Sequence, residues 1–227
     1  MSPKVGKILI LGGTREAADL AEKLVNEDHD VTTSLAGRTI EPAPLAGATR
    51  SGGFGGAKGL EDYLRTNGFT RLIDATHPFA FVISENAKAA AMRLDIEFDQ
   101  ITRPAWVRQP RDIWIEVETY QAAREAIPHS ARVFLALGSQ HIAPFAGRSD
   151  VRFIVRMIDP SAKALPIRDA KIVLAKPSMD WRKEQDLMLR HEISHMVCRN
   201  SGGAGAYAKI EAARHLRIPV IMIQRPT

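Results

Sequence analysis

The chain has 227 residues, of which 45% are hydrophobic and 25% are charged, and these fractions are ordinary for a globular protein. They exclude a disordered chain, and no run approaches the roughly 18 apolar residues that a membrane-spanning helix needs. The formal net charge is +5 and Cys198 is the single cysteine, so the sequence predicts a cytoplasmic protein that has no internal disulfide and binds negatively charged partners.

Short apolar runs alternate with amphipathic segments along the chain, and the two periodicities predict strands and helices. The expected strands cover residues 7–11, 30–36, 49–51, 70–75, 96–101, 112–117, 132–137, 151–157, 171–175, 194–199 and 219–223. The expected helices cover residues 16–26, 60–66, 79–94, 120–127, 139–145, 180–191 and 204–216.

Strands that alternate with helices form crossover units and parallel sheets. The number of expected strands is too large for one small sheet. The predicted fold class is therefore α/β, with two Rossmann-like domains, mainly parallel sheets and a cleft between them. We place the boundary after residue 110, which gives domains of residues 1–110 and 111–227.

The distribution of the basic residues decides among the negatively charged partners. Lysines and arginines are dispersed, only 6% of residues are aromatic, and no RNA-binding aromatic motif occurs. We expect neither nucleic acid nor a membrane as partner. A phosphorylated cofactor or a multiply carboxylated metabolite is favoured.

A glycine turn follows the first predicted strand and opens the first helix. Gly12-Gly13-Thr14-Arg15-Glu16 resembles a dinucleotide-binding turn, in which glycines let the backbone approach a pyrophosphate at a helix N-terminus. The alternative is a tight turn in which Thr14 only caps the helix.

The end of the second predicted strand bears on which dinucleotide is bound. Ser34, Ala36 and Gly37 lead to Arg38, where an NAD-preferring site usually has an acid. Arginine grips phosphate in a bidentate way, so the sequence favours NADPH over NADH. The alternative is that Arg38 is a solvated loop residue.

Two further glycine-rich segments occur. Residues 51–56 place Gly53 and other glycines around Phe54, as a loop that lies against a ring or is simply mobile. Residues 200–205 follow a predicted strand and open a helix, as an anion-binding turn or only a tight one.

The segment Asp74-Ala75-Thr76-His77-Pro78-Phe79 follows a predicted strand, at the sheet edge where open α/β sheets bind ligands. Asp74 and His77 are titratable, so we predict a functional site here. The alternative is that Asp74 and Thr76 only cap the next helix.

Residues 191–195 match H-E-x-x-H, which binds zinc when both histidines lie on one helix. The predicted helix ends near His191 and a strand follows. Residues four apart on a strand are about 13 Å apart, so we predict no metal site.

Several strings taken together resemble the precorrin-6A reductases of cobalamin biosynthesis. They span residues 8–226 and include Gly12-Gly13-Thr14, Gly52-Gly53-Phe54-Gly55-Gly56, Asp74-Ala75-Thr76-His77-Pro78-Phe79-Ala80, Arg103-Pro104 with Trp106, Asn200-Ser201-Gly202-Gly203, Lys209 and Arg225-Pro226. The family commonly has lysine where this chain has Arg199.

The resemblance implies a reductase with a nucleotide-binding N-terminal domain and a second domain that contributes to a tetrapyrrole cleft. The expected reaction is NADPH-dependent reduction of a C=C bond of precorrin-6A to give precorrin-6B. Neighbouring enzymes of the pathway are candidate partners.

The expected site residues fall into three groups. The cofactor-binding group is Gly12, Gly13, Thr14, Arg15, Glu16, Ser34, Ala36, Gly37, Arg38, Gly53, Phe54 and Ala75. The substrate-binding group is Phe79, Arg103, Trp106, Arg199, Asn200, Ser201, Gly202, Gly203, Lys209 and Arg225. The catalytic group is His77, Asp74 and Thr76.

His77 is the first choice for proton donor, because the ordinary pKa of histidine lies near neutrality. Asp74, Thr76 and water remain alternatives. Three rival functions also stay open: reduction of the cobalt-containing precorrin-6A with NADH, NADPH binding without catalysis, and nucleic-acid binding.

Overall fold

The computed structural model describes residues 6–37, 43–160 and 164–226. The chain divides into two compact units, the first ending at Arg103 and the second beginning at Pro104. The predicted boundary after residue 110 lies beyond this division. Residues 104–110 belong to the second unit because they bond to it, as the Trp106 backbone N–H does to Asn200 Oδ1 at 2.8 Å.

The described part of the first unit alternates strands and helices. They are β1 (Lys7–Leu11), α1 (Arg15–Asn26), β2 (Asp30–Leu35), β3 (Ala48–Ser51), α2 (Ala57–Thr66), β4 (Arg71–Asp74), α3 (Phe81–Leu94) and β5 (Glu97–Gln100). The strands form one parallel sheet in the order β3-β2-β1-β4-β5.

Strand β1 is apolar from Ile8 onwards, because helices cover both faces of this sheet. Successive side chains point to opposite faces. Ile8 and Ile10 pack with Ala17 and Ala21 of α1, whereas Leu9 and Leu11 pack with residues of α2 and α3, such as Leu60.

The second unit is built in the same way. Its described elements are β6 (Trp114–Val117), α4 (Tyr120–Glu125), β7 (Arg132–Leu135), two short 3₁₀ helices (Ser139–His141 and Ala143–Phe145), β8 (Arg152–Met157), β9 (Lys171–Leu174), α5 (Trp181–Arg190), β10 (His195–Arg199), α6 (Ala208–Leu216) and β11 (Val220–Ile223). The strands form a second parallel sheet in the order β6-β11-β10-β7-β8-β9.

The predicted α/β class and its parallel sheets are confirmed, but three helices start two or more residues away from the predicted position. Helix α2 begins at Ala57 rather than residue 60. Helix α3 begins at Phe81, because the Ala80 N–H donates to the His77 carbonyl and closes a turn first. Helix α6 begins at Ala208 rather than residue 204, because Gly202 and Gly203 both have positive φ and a turn follows them.

Each sheet has one position at which the chain connections lead away in opposite directions. In the first unit this switch point lies between β1 and β4, and in the second it lies between β10 and β7. Parallel sheets bind ligands in the crevice at the carboxyl ends of such strands. The loops at these ends are therefore the expected location of the functional residues.

Candidate functional site

The glycine turn after β1 is shaped by its contact with β2. The Gly12 N–H donates to the Ser34 carbonyl at 2.9 Å, and a Cβ on Gly12 would stand 2.7 Å from Thr33 Cγ2. Gly13 has a φ of 102°, and none of the described residues comes within 4 Å of where its Cβ would be. The turn thus needs glycine at both positions and presents an open backbone surface at Gly13.

Thr14 joins the two loops of the first switch point. Its hydroxyl oxygen accepts a hydrogen bond from the Ala17 N–H at 3.1 Å, so the predicted helix cap is present. The same hydroxyl donates to the Ala75 carbonyl at 2.7 Å. The N-terminus of α1 is therefore held beside the loop that follows β4, and its first N–H groups carry the positive end of the helix dipole.

Asp74 holds the loop after β4 in shape. Its side chain is buried, and Oδ1 accepts hydrogen bonds from the Thr76 N–H at 3.0 Å and the Thr76 hydroxyl at 2.7 Å. Oδ2 accepts from Gln100 Nε2 at 3.1 Å. Three donors therefore hold this carboxyl group in place. The alternative in which Asp74 and Thr76 only cap α3 is wrong, because Ala80 is the cap residue.

His77 lies at the outer end of the same loop. Its Nδ1 accepts a hydrogen bond from the Phe79 N–H at 3.2 Å, and the His77 and Phe79 rings are 5.8 Å apart. Because Nδ1 is the acceptor, the neutral imidazole carries its proton on Nε2. The structure thus assigns this ring its tautomer.

Glu16 and Arg103 form an ion pair at this crevice. Arg103 Nη1 lies 2.8 Å from Glu16 Oε2. Partial burial raises the pKa of Glu16, but hydrogen bonds from its backbone N–H and from Arg103 outweigh burial and leave the pKa below its ordinary value. Glu16, which was expected to bind the cofactor, and Arg103, which was expected to bind the substrate, therefore pair with each other. A narrow crevice is lined by Thr14, Glu16, Ala75, Thr76, Pro78, Ile101 and Arg103.

Arg50 is a candidate cofactor residue that the sequence analysis missed. It pairs in register with Ser34, and its Nη1 donates to Ser34 Oγ at 2.7 Å and to the Gly52 carbonyl at 2.9 Å. The guanidinium also lies 4.0 Å from the centre of the Phe54 ring. Its position on the short predicted strand 49–51, beside the end of β2, was the signal available in the sequence.

The remaining cofactor-binding residues are placed as follows. Ala36 and Gly37 directly follow β2, and Arg15 is a largely exposed residue of the first turn of α1 that lies 3.8 Å from Asp19. Arg38 lies outside the described residues, so its predicted contact with phosphate stays a prediction.

In the second unit, the turn after β10 packs against the segment that begins the unit. Asn200 Oδ1 accepts from the Trp106 N–H, and Trp106 Nε1 donates to the Gly203 carbonyl at 2.7 Å. Arg225 donates to the carbonyls of Asn200 and Ser201 at 3.1 Å each. The structure therefore brings most of the predicted substrate-binding residues of this unit together. Asn200 and Trp106 are buried and paired with each other.

Lys209 lies beneath this turn. Only 5% of the residue is exposed, its Nζ donates to the Ala206 carbonyl at 2.8 Å, and Nζ lies 4.7 Å from the centre of the Trp106 ring. Burial lowers the pKa of Lys209 to about 8. These contacts of Lys209 stabilise the turn after β10. The role of Lys209 in binding substrate stays a prediction.

The H-E-x-x-H match divides between elements, as predicted. His191 caps the end of α5 and His195 begins β10. No cluster of three or more histidine, cysteine, aspartate or glutamate side chains suited to a metal occurs in the described ranges. Within those ranges, every helix is too short or too polar to cross a membrane.

Known proteins resemble this chain over nearly its full length. Residues 7–227 match the family described as "Precorrin-6x reductase CbiJ/CobK". The "Precorrin-6A reductase" of Rhodobacter capsulatus is 42% identical over 221 residues, covering 97% of this chain and 88% of the relative. The "Cobalt-precorrin-6A reductase" of Priestia megaterium is 28% identical over 232 residues, covering 96% and 90%.

A solved structure is equally similar. It is named "CobK precorrin-6A reductase", has 42% sequence identity and superposes with a TM-score of 0.93 over 97% of this chain and 88% of that one. The two units, their parallel sheets and their switch points are therefore those of a known enzyme fold. The chain belongs to the precorrin-6x reductase family.

Proposed function

We propose that this chain reduces precorrin-6A to precorrin-6B with NADPH, by delivering hydride to one carbon of a conjugated C=C bond and a proton to its neighbour. The observation that carries the proposal is the crevice of the first unit, where Thr14 joins the glycine turn to the loop Ala75–His77. In a member of this family, that crevice is the expected place for a nicotinamide cofactor, which supplies the hydride when bound.

The glycine turn fits a pyrophosphate. Gly13 leaves its outer face open, and the first N–H groups of α1 offer hydrogen bonds and a positive dipole there. A Cβ on Gly12 would stand 2.7 Å from Thr33 Cγ2 of β2, so a side chain there would force Thr33 to shift. The role of these residues is to hold and orient the cofactor.

Arg50 supports NADPH over NADH. The strand β2 ends without an acid, and the guanidinium of Arg50 lies beside Ser34 at that end. A cation here favours a phosphorylated ribose, since charge-assisted hydrogen bonds are about twice as strong as neutral ones. Arg38 remains a second candidate for the same phosphate.

His77 is the preferred proton donor of the loop. Its Nε2 carries the proton, whereas the Thr76 hydroxyl is directed at Asp74 and the Asp74 carboxylate accepts three hydrogen bonds. We therefore assign Asp74 and Thr76 the role of holding the loop after β4 rigid. Rigidity favours near-attack geometry, which is the main contribution of a protein to cofactor-dependent hydride transfer.

The cofactor is tested by titrating the purified chain with NADPH and NADH. We expect tighter NADPH binding, and Arg50→Ala weakens it about tenfold or more, since a lost charged hydrogen bond costs roughly 1.5–3 kcal/mol. Arg65→Ala on α2, which pairs with Asp62 on the surface, is the matched control. If the wild type, Arg50→Ala and Arg65→Ala all bind NADPH and NADH with equal affinity, NADPH specificity is contradicted.

The reaction is tested with anaerobic precorrin-6A and its cobalt-containing form, each with NADPH and NADH. The expected product is two hydrogen atoms heavier than metal-free precorrin-6A, with one nucleotide oxidised per product. His77→Gln lowers kcat by about a hundredfold or more if it donates the proton, whereas the exposed His129→Gln does not. If the chain binds nucleotide but reduces neither substrate, it is an NADPH-binding protein without catalysis. Faster turnover of the cobalt-containing form would favour cobalt-containing precorrin-6A as the substrate.

A further inference from the structure

Glu16 carries a negative charge at the helix end that is the proposed pyrophosphate site. It is the second residue of α1, which begins at Arg15. Its carboxylate accepts a hydrogen bond from its own backbone N–H, one of the first N–H groups of the helix. Partial burial raises the pKa of Glu16, but this bond and the one from Arg103 leave the pKa below its ordinary value. The carboxylate is therefore ionised at neutral pH, and alone it would repel a phosphate bound beside it.

Arg103 compensates this charge. Its Nη1 lies 2.8 Å from Glu16 Oε2, and 18% of the Arg103 side chain and 35% of the Glu16 side chain are exposed. Water and salt screen partly buried charges less than exposed ones, so each charge acts strongly on its surroundings. The pair therefore presents little net charge to a bound nucleotide, whereas Glu16 without its partner would present a full negative charge.

The pair also supplies the charged side chains of the narrow crevice at the first switch point. Among the described residues that line this crevice, Glu16 is the acidic one and Arg103 is the basic one. The remaining lining residues are uncharged: Thr14, Ala75, Thr76, Pro78 and Ile101. The balance between one carboxylate and one guanidinium therefore sets the electrostatic character of the crevice wall.

We propose that Arg103 is a positioning residue that acts on the cofactor through Glu16: it holds the carboxylate at the end of α1 and cancels its charge, so that the pyrophosphate of NADPH can bind beside it. The inference rests on the proposed function, because that function supplies the pyrophosphate. Glu16 was expected to bind the cofactor and Arg103 the substrate, whereas the ion pair gives the two residues one electrostatic role.

Loss of Arg103 then weakens nucleotide binding only while Glu16 keeps its charge. Arg103→Met leaves the carboxylate uncompensated, and we expect NADPH binding to weaken about tenfold, since one like charge is added in a partly exposed site. Glu16→Gln removes the repulsion, so this variant binds NADPH at least as tightly as the wild type. In the double variant, we expect the affinity to return to within about twofold of the wild type, because the two effects are coupled.

The test is a titration of each purified variant with NADPH, followed by nicotinamide fluorescence, at low and high salt. An increase in ionic strength from 0.01 M to 1 M shortens the screening length from about 30 Å to about 3 Å. The ratio of the Kd of Arg103→Met to that of the wild type should therefore fall as salt is added. Arg103→Lys keeps the cation and should keep most of the affinity. We expect 2′-AMP, which has the ribose 2′-phosphate but no pyrophosphate, to bind all variants equally.

Arg71→Met is the matched control for loss of an ion pair. Arg71 also pairs with carboxylates of the first unit, 3.4 Å from Glu97 and 2.6 Å from Asp99, but it begins β4 and so lies at the opposite end of the sheet. We expect its NADPH affinity to equal that of the wild type. Thermal unfolding reports whether each variant is folded, and Arg103→Gln is a second neutral variant with the same expected outcomes if Arg103→Met does not fold.

Two results would overturn the inference and leave the proposed function intact. A double variant that binds NADPH as weakly as Arg103→Met would mean that Arg103 contacts the nucleotide directly. A loss of affinity in Glu16→Gln equal to that in Arg103→Met would mean that the carboxylate itself binds the cofactor. A wild-type chain that binds no NADPH would overturn both the inference and the proposed function.

Discussion

The carboxylate of Glu16 and the guanidinium of Arg103 lie 2.8 Å apart at the first crevice, although 87 residues separate them in the chain. Glu16 belongs to the first turn of α1, and Arg103 is the last residue of the first unit. The pair therefore fastens the end of the unit to the helix whose N-terminus we propose as the pyrophosphate site.

This pair predicts a coupling that can be measured with Glu16→Gln, Arg103→Met and the double variant. We expect a coupling free energy of roughly 0.5–1 kcal/mol near neutral pH, since both side chains are partly exposed. The pKa of Glu16 is lowered in the folded state, so this stability is present above its ordinary pKa and is lost as the pH falls. Urea unfolding at neutral pH and at about pH 3 checks both statements, and a coupling independent of pH would contradict them.

Thr14 predicts a second effect on stability. Thr14→Val removes the cap of α1 and the bond to the Ala75 carbonyl, and we expect a loss of roughly 2 kcal/mol in the free energy of unfolding. Thr14→Ser keeps both hydrogen bonds and should retain most of the stability. Similar losses in the two variants would show that the hydroxyl bonds are not the cause.

The turn after β10 predicts a sharp difference between two glycines. Gly202 has a φ of 68°, and a Cβ there would overlap the Pro104 carbonyl oxygen. We expect Gly202→Ala to lower the free energy of unfolding by at least about 2 kcal/mol. Gly205→Ala is the control, since its Cβ would meet no described atom within 4 Å. Equal denaturation midpoints for the two variants would contradict the packing argument.

Lys209 predicts a pH dependence of stability. Burial lowers its pKa from 10.5 to about 8, so above pH 8 the folded state releases a proton that the unfolded state keeps. The free energy of unfolding then rises with pH, by at most about 1.4 kcal/mol per pH unit. Burial also raises the pKa of Cys198 from 9.0 to about 11, which opposes the rise above pH 9.

The measurement is therefore chemical denaturation between pH 7.5 and 9, comparing the wild type with Lys209→Met. We expect the wild type to gain stability over this interval relative to the variant, because only the wild type carries the buried amine. A constant difference between the two proteins at every pH would mean that Lys209 keeps its ordinary pKa when folded.

The order of strands and helices, the parallel sheets and the position of the glycine turns follow from the amino-acid sequence alone. These features are local: an apolar run such as residues 8–11 must be buried, and glycines at 12 and 13 permit a turn that other residues resist. For the same reason, His191 and His195 could be assigned to different elements before any contact was known.

Contacts between residues that are distant in the sequence are visible only in the folded protein. Arg50 lies beside Ser34 because strand register pairs them, and Arg199 contacts His141 because β10 inserts next to β7. Burial of Lys209 and the pairing of Trp106 with Asn200 likewise depend on contacts between distant segments. Periodicity specifies which face of an element is buried, but packing across the sheet determines which polar groups face each other there, and those contacts define the candidate site.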